Sequence, residues 1–569
     1  LPVPPKEPQS TYSMVLAEQF FSGPSSPLLF SLFKYLFENY YAGETAREVG
    51  LDVLPKKPLL VKHKDHMYVN TYPTECLLRK AGGLGDFQQQ LKVLPEDIRR
   101  EFEDSQRKSI LSAIGLLSKI LLLLLKRPSL RKSKVDREYI RTTVPQILMG
   151  LEALGGQPKT KEEMERHYRM LMELFIQHIR SSKYGMAYCI MLSSLVQRSL
   201  EKAHIEEPEA KLLALMSGLP NEKTSEGIRE LQILAKKYKM DEQVHGALNP
   251  KLEEYGRYRE ELLRSTQGRR FTEAFESILF RYGHRRLARD LIESSWYEEP
   301  MIPFNMLRNM VLYQDQLKLF TAREIGATKR RKATDEILKQ IPIYKRRRFK
   351  SNSRYLIRYL SFRELQRFYL DMILTRLRSL FLLVGERMAK EGFIEDSQDV
   401  FFLEINEIEE YLKGKKRNLR YIAAFRRMSF RENPEKPRLY LRNKVDFDEL
   451  PSFEADHIYD NVIQGEAVSA GVYKGKVKVI EHIDSGSNIL PGIVLVTKSI
   501  DPGQTQVFSS AGGMILEVGG VLSHGAILAR EFGIPTVARV NRATDLFSDG
   551  QEVVVNGTKG EVVLVEQKE

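Results

Sequence analysis

The chain has 569 residues and a mass of 65.8 kDa. That exceeds the roughly 250–300 residues one hydrophobic core supports, so two or more domains are expected. Its 42% hydrophobic and 29% charged residues exclude wholesale disorder, and a net charge of +13 admits a polyanionic partner, a phosphate-rich substrate or a merely basic surface.

Residues 1–11, with Pro2, Pro4, Pro5 and Pro8, read as a stiff linker. From 12 to 450 the pattern is helical. Leu171, Leu174, Phe175, His178 and Ile179 recur at three and four residues, as do Leu370, Ile373, Leu377, Leu380 and Val384. Gly155-Gly156, Pro158, Gly218 to Pro220, Pro250, Pro300 and Pro303 separate such stretches. The most apolar run, Ile110 to Leu125, holds Lys119 and is shorter than the ~20 residues a membrane span needs, so it reads as a buried helix. No signal peptide is visible, and two cysteines, Cys76 and Cys189, make neither a disulfide framework nor a cysteine-rich metal site. A cytoplasmic chain that meets no membrane is expected.

From 451 to 569 the texture changes to short Val- and Ile-rich runs punctuated by glycine, the mark of a small β-rich domain. One helix interrupts it, from about Ser523 to Phe532. Charge divides along the same line: residues 456–569 carry a net −5 and the remainder +18. Docking of an acidic domain on a basic one is a physical use for that asymmetry.

Gly519-Gly520-Val521-Leu522-Ser523-His524 reads as a glycine turn, an N-cap serine and a histidine in the first helical turn. Gly533 and Pro535 stop the helix. A helix N-terminus opposes protonation of an imidazole and favours a dianion placed on it. A histidine that accepts and releases a phosphoryl group gains from both. A plain surface histidine is the alternative that spacing alone leaves open.

The run Gly519 to Pro535 resembles the phosphohistidine signature of the phosphoenolpyruvate-utilising enzymes, which include phosphoenolpyruvate synthase, pyruvate phosphate dikinase and rifampicin phosphotransferase. Gly471 to Gly475, Asp501 to Thr505, Asp549 to Gln551 and Gly557 to Val562 extend the resemblance over the small domain. It implies that His524 is the phosphorylated residue of a β/β/α swivelling domain. It also implies that Ser523 and Arg530 orient the ring or hold phosphate, with Gly519 and Gly520 keeping the approach open. Gly23 to Leu28, Arg281 to Arg285, Ser361 to Arg367 and Asp399 to Leu403 resemble the substrate-binding region of rifampicin phosphotransferase and its relatives. Arg363 and Arg367, four apart on one helix face, can clamp phosphate, and His284 with Arg285 can join them; a solvated basic face and a helix-end histidine are the bland alternatives. After His284 the chain departs from the family with Arg286-Leu287-Ala288-Arg289-Asp290, which puts the acceptor in question.

The expected architecture is a multidomain α plus α/β protein: a large all-helical acceptor-binding domain, then the swivelling domain, with a hinge near Pro434 to Gly465. The expected activity is phosphoryl transfer through His524 from an ATP-charged domain to a small-molecule hydroxyl. ATP and Mg²⁺ would be bound by an ATP-grasp domain, upstream or on a separate subunit, and no metal by this chain's own ligands. The rival is a non-catalytic carrier or interaction protein binding an acidic partner or nucleic acid. Its signals are Lys329-Arg330-Arg331-Lys332 and Lys345 to Lys350 with Tyr344 and Phe349. No recognised nucleic-acid fold accompanies these runs, and a surface loop or docking patch fits them better.

Overall fold

A computed structural model describes residues 11–14, 24–48, 58–71, 134–220, 223–250, 252, 254–286, 290–313, 322–431, 440–442, 445–447, 461–480, 492–500, 511–540 and 542–565. The Pro-rich start to residue 10, the leucine-rich run, Asp501 to Thr505 and residues 287–289 lie outside them, as does most of the expected hinge. The described helices are α1 (Pro27–Leu36), α2 (Ala42–Glu48), α3 (Val135–Glu138), α4 (Val144–Ala153), α5 (Lys161–Glu201), α6 (Pro208–Leu215), α7 (Lys223–Tyr238), α8 (Glu242–Leu248), α9 (Tyr255–Leu263), α10 (Thr266–Tyr282), α11 (Met301–Tyr313), α12 (Ala322–Gln340), α13 (Ile343–Lys390), α14 (Ile405–Leu412), α15 (Arg420–Arg431), α16 (His524–Phe532) and α17 (Ala543–Leu546). A large helical region therefore precedes a C-terminal β-sheet domain, and both apolar stripes named above fall in helices, α5 and α13.

The chain forms two compact units. The first comprises Leu1–Ala187, Asp290–Ile292 and Arg376–Glu454; the second comprises Tyr188–Arg289, Glu293–Thr375 and Ala455–Glu569. The division at 450 follows secondary-structure type, whereas the compact units follow packing.

The first unit carries a feature that helical periodicity does not signal. Strands β1 (Thr11–Ser13), β2 (Leu60–His63), β3 (His66–Asn70), β4 (Tyr440–Arg442) and β5 (Val445–Phe447) form an antiparallel sheet in the order β2-β3-β1-β4-β5. Tyr12 pairs with both Asn70 and Leu441, so the two ends of the helical region meet. Strands of three to five residues are too short to show alternation. Here Ser26 caps α1, accepting from Leu29 N at 3.2 Å, with Pro27 opening the helix. Its own N–H donates to the buried Asp290 carboxylate at 2.6 Å. Burial raises the Asp290 pKa, and hydrogen bonds from Ile292 N and from Ser26 oppose the rise. Asp399, fully buried, accepts from the Glu395 and Asp396 N–H groups at 3.2 and 3.1 Å and from Arg427 at 2.8 Å. The Gly23 to Leu28 and Asp399 to Leu403 segments are thus caps and buried turns where described.

In the second unit, β6 (Val462–Gln464), β7 (Glu466–Ser469), β8 (Val472–Val479), β9 (Ile493–Thr497), β10 (Ala511–Leu516), β11 (Thr536–Ala538), β12 (Glu552–Asn556) and β13 (Glu561–Leu564) form one sheet, ordered β6-β13-β12-β8-β9-β10-β11-β7. Strands β8 to β11 pair in parallel and the flanking strands antiparallel. Apolar runs suit parallel strands covered on both faces. Leu495, Met514 and Leu516 pack toward Ala526, Leu528 and Ala529 of α16, while Val494, Val496 and Ile515 pack with Val537, Val553 and Phe547. That is the two-residue alternation of a strand. A second core, built by α7 to α11 around Phe271, Phe275, Trp296 and Phe304, receives Phe532 at the end of α16.

Asp399→Ala leaves two N–H groups and Arg427 without their acceptor. It is expected to cost about 3 kcal/mol in chemical denaturation, without any direct effect on the C-terminal sheet.

Candidate functional site

Strand β10 runs into a glycine turn and then α16. Ser523 has extended backbone (φ −66°, ψ 158°), and its Oγ accepts from Ala526 N at 3.2 Å. Gly519 has φ +137°, which favours glycine, and a Cβ there would stand 3.3 Å from Ser523 Oγ. Ser523 N donates to Gly520 O at 2.7 Å and closes the turn. Gly533, left-handed at φ 67°, ends the helix. His524 is therefore the first residue of α16, where unpaired N–H groups and the positive end of the helix dipole concentrate.

Arg530 lies on the interior side of this helix, 4% exposed. It donates from Nη1 to Val468 O at 2.7 Å and from Nη2 to Val521 O at 2.8 Å, tying the turn before His524 to strand β7. Burial pulls its pKa down to about 10. Arg363 adds to the fall, and Glu531 and Glu364 oppose it. Arg363 and Glu364, both buried on α13, thus lie within electrostatic reach of α16. Arg367 follows Arg363 by one turn and is half-buried.

Glu531, 4% exposed, accepts from Leu219 N at 2.7 Å across 312 positions of sequence. The turn holding Leu219 is itself fixed: Arg330 donates to the carbonyls of Ser217 and Gly218. Gly218, at φ +65°, lies against Gly326 and Ala327, where a Cβ would come within 2.3 Å of the Ala327 nitrogen. Arg330, from the first basic run, is therefore partly a structural residue. In the second run Phe349 is core at 2% exposed, while Tyr344 is 79% exposed beside Lys345.

His284 and Arg285 follow the end of α10, and His284 packs against α13 further along that helix. The His284 ring meets Phe368 edge-on at 4.6 Å, and its carbonyl accepts from Thr375 Oγ1 at 2.9 Å. Among the described residues its Nε2 meets no hydrogen-bond partner. Burial pushes its pKa down to about 3, against the nearby Asp371 carboxylate and with help from Arg285 and Arg286. Arg285 donates to Lys223 O at 3.1 Å and lies 5.5 Å from the Trp296 ring. Arg286 donates to Thr375 Oγ1 at 2.8 Å, so the departure after His284 places a cation behind that histidine. The structure thus groups Gly519, Gly520, Ser523 and Arg530 with α16, brings Arg363 near Arg530, and sets His284, followed by Arg285, against α13 one to three helical turns further along. Sequence reasoning assigned no part to Glu531, Arg539 or Thr375. Glu531 stands inside the motif, but its partner is not readable from any spacing.

Comparison with known proteins fits this division. Residues 489–560 match the family described as PEP-utilising enzyme, mobile domain, and residues 177–364 match the rifampicin phosphotransferase fourth domain. The chain is accordingly related to the phosphoenolpyruvate-utilising phosphotransferases. Within that class its curated relatives include rifampicin phosphotransferases: one from a Streptomyces species is 28% identical over 421 residues, covering 71% of this chain and 46% of that protein. Another from Bacillus cereus is 27% identical, covering 54% and 36%. An uncharacterised phosphotransferase of Bacillus subtilis is 31% identical over 322 residues, covering 54% and 38%. The chain spans less than half the length of these relatives. Among the described residues no helix is long and apolar enough to cross a membrane.

Two outcomes follow from the geometry. Glu531→Ala leaves the buried Leu219 N–H without its acceptor and is expected to cost about 1–3 kcal/mol, with Glu531→Gln costing less because it keeps an oxygen there. Denaturant unfolding of both variants checks this. His284 is expected to stay neutral, with its imidazole resonances flat from pH 8 to pH 5 in NMR. Its folded pKa lies below the ordinary 6.5, so the unfolded state takes up the proton first. Its contribution to stability is complete above pH 6.5 and is lost as pH falls toward 3; His284→Asn should lessen that acid sensitivity.

Proposed function

We propose that the chain is the phosphoryl-carrying and acceptor-binding part of a phosphotransferase, with His524 as the residue that takes and passes on the phosphoryl group. The observation that carries this is the position of His524 at the start of α16, behind a serine cap and a glycine turn, inside the residues that match the mobile domain.

A helix N-terminus favours a dianion placed beside it, an effect worth roughly 0.3–1 kcal/mol at an exposed site and more where partly buried. In the first step an imidazole nitrogen attacks phosphorus, an N–P bond forms and the P–O bond to the leaving group breaks. In the second the acceptor's hydroxyl oxygen attacks, the N–P bond breaks, and the hydroxyl proton passes to the freed imidazole or to water. Arg363 and Arg367 are the residues assigned to neutralise charge on the travelling group, with His284 and Arg285 at the acceptor side.

The donor in this reading is an ATP-grasp domain or subunit that presents the β-phosphorus of ATP to the imidazole: AMP leaves, and water then cleaves the γ-phosphate from the resulting pyrophosphoryl group as inorganic phosphate, so that the β-phosphoryl stays on His524. The nucleotide and its Mg²⁺ belong to that domain. Among the described residues no three His, Cys, Asp or Glu side chains cluster as a metal site requires. The acceptor is a small molecule bearing a hydroxyl; the names of the relatives point to a rifamycin, and Arg286 behind His284 is where specificity is expected to differ.

The protein, supplied with its ATP-binding domain and ATP labelled at the β-phosphate, is expected to carry acid-labile, alkali-stable phosphate. His524→Ala should abolish the label while leaving the thermal transition within a few degrees of wild type. Label persisting in His524→Ala would overturn the assignment.

A further inference from the structure

A second cation, Arg539, stands at the glycine turn. Arg539 follows strand β11, whose Ala538 pairs with Glu466 of β7. Its Nε donates to Gly519 O at 3.0 Å, and Glu466 Oε2 stands 3.0 Å from the same nitrogen, although the N–H itself is aimed at the carbonyl. A Cβ built on Gly520 would lie 3.2 Å from Glu466 Oε2 and 3.7 Å from Arg539 Nη2, so the guanidinium borders the turn directly. That turn closes on Ser523, the residue before His524.

Three properties separate Arg539 from an ordinary surface arginine. Its backbone is left-handed at φ +58°, a conformation that glycine adopts without strain and arginine does not. Its side chain is 22% exposed and anchored through Nε alone. Among the described residues no hydrogen bond reaches its two terminal nitrogens, which leaves a two-pronged donor beside the turn. A guanidinium held at one end with two free amino groups is suited to bind phosphoryl oxygens.

Resting on the reading of His524 as the phosphorylated residue, we infer that Arg539 is the phosphate-binding residue of the carrier domain. Its terminal N–H groups meet the phosphoryl oxygens on His524, and Glu466 and the Gly519 carbonyl aim the guanidinium at them. Arg530, by contrast, acts as a positioning residue, since its Nη1 and Nη2 groups already donate to Val468 and Val521.

The test needs no partner domain. Phosphoramidate transfers its phosphoryl group to histidine directly: its N–P bond breaks, ammonia leaves, and an N–P bond forms on the imidazole. The full chain, Arg539→Gly, Arg539→Gln and His524→Ala are treated with phosphoramidate, and the ³¹P resonance lost in His524→Ala is followed as pH is varied. A guanidinium beside the group lowers the midpoint of any proton held by the phosphoryl or by its imidazole. Both Arg539 variants are therefore expected to titrate at least about half a pH unit above wild type. Arg539→Gly should also melt no lower than wild type, because glycine relieves the left-handed backbone, so a raised midpoint cannot come from misfolding. Midpoints that coincide in all three phosphorylated proteins overturn the role of Arg539 and leave His524 standing. A wild-type chain with no resonance that depends on His524 overturns both.

Discussion

Helix α16 is buried along most of its length. Residues 525 to 531 are all inside, with the sheet beneath and the helical core meeting Phe532. Charged groups in such an interior are drawn to partners, because a buried polar group without one costs on the order of 1–3 kcal/mol. The charged pair Arg530-Glu531 in the middle of this interior sets the surrounding structure. Arg530 takes the carbonyls of Val468 and Val521 and so fixes the turn that leads to His524. Glu531 takes the N–H of Leu219 and so requires the Ser217–Leu219 turn to stand where it does.

That requirement propagates outward. The turn can meet Glu531 because Arg330 holds its other carbonyls and because Gly218 and Gly326 let α12 approach without a side chain between. The helical part of the second unit is thus shaped around one face of α16, and both regions that match known families contribute to this unit.

The local design of α16 was legible residue by residue. Ser523, Gly533 and Pro535 mark the two ends through backbone chemistry that operates within a few positions, and the observed helix, His524 to Phe532, follows those marks. The parallel strands were legible because apolar runs between glycines have few other uses. The five-stranded sheet of the first unit was not, since three-residue strands carry no period and their pairing joins residues more than 400 positions apart. Phe349 shows the same limit: in a run of basic residues it invites a reading as a stacking aromatic, yet its helical position turns it into the core.

The sequence by itself therefore determined the longer helices, the C-terminal strands and a position where a histidine opens a helix. Caps, glycines and periodicity are short-range physics, and neighbours along the chain suffice to state them. Only the tertiary structure decided what each charge in the motif is for. Arg530 turns inward to carbonyls, Glu531 reaches Leu219, and Arg539 donates to the Gly519 carbonyl from the end of β11. Such roles depend on which buried donor meets which acceptor across hundreds of residues, and that is settled by packing.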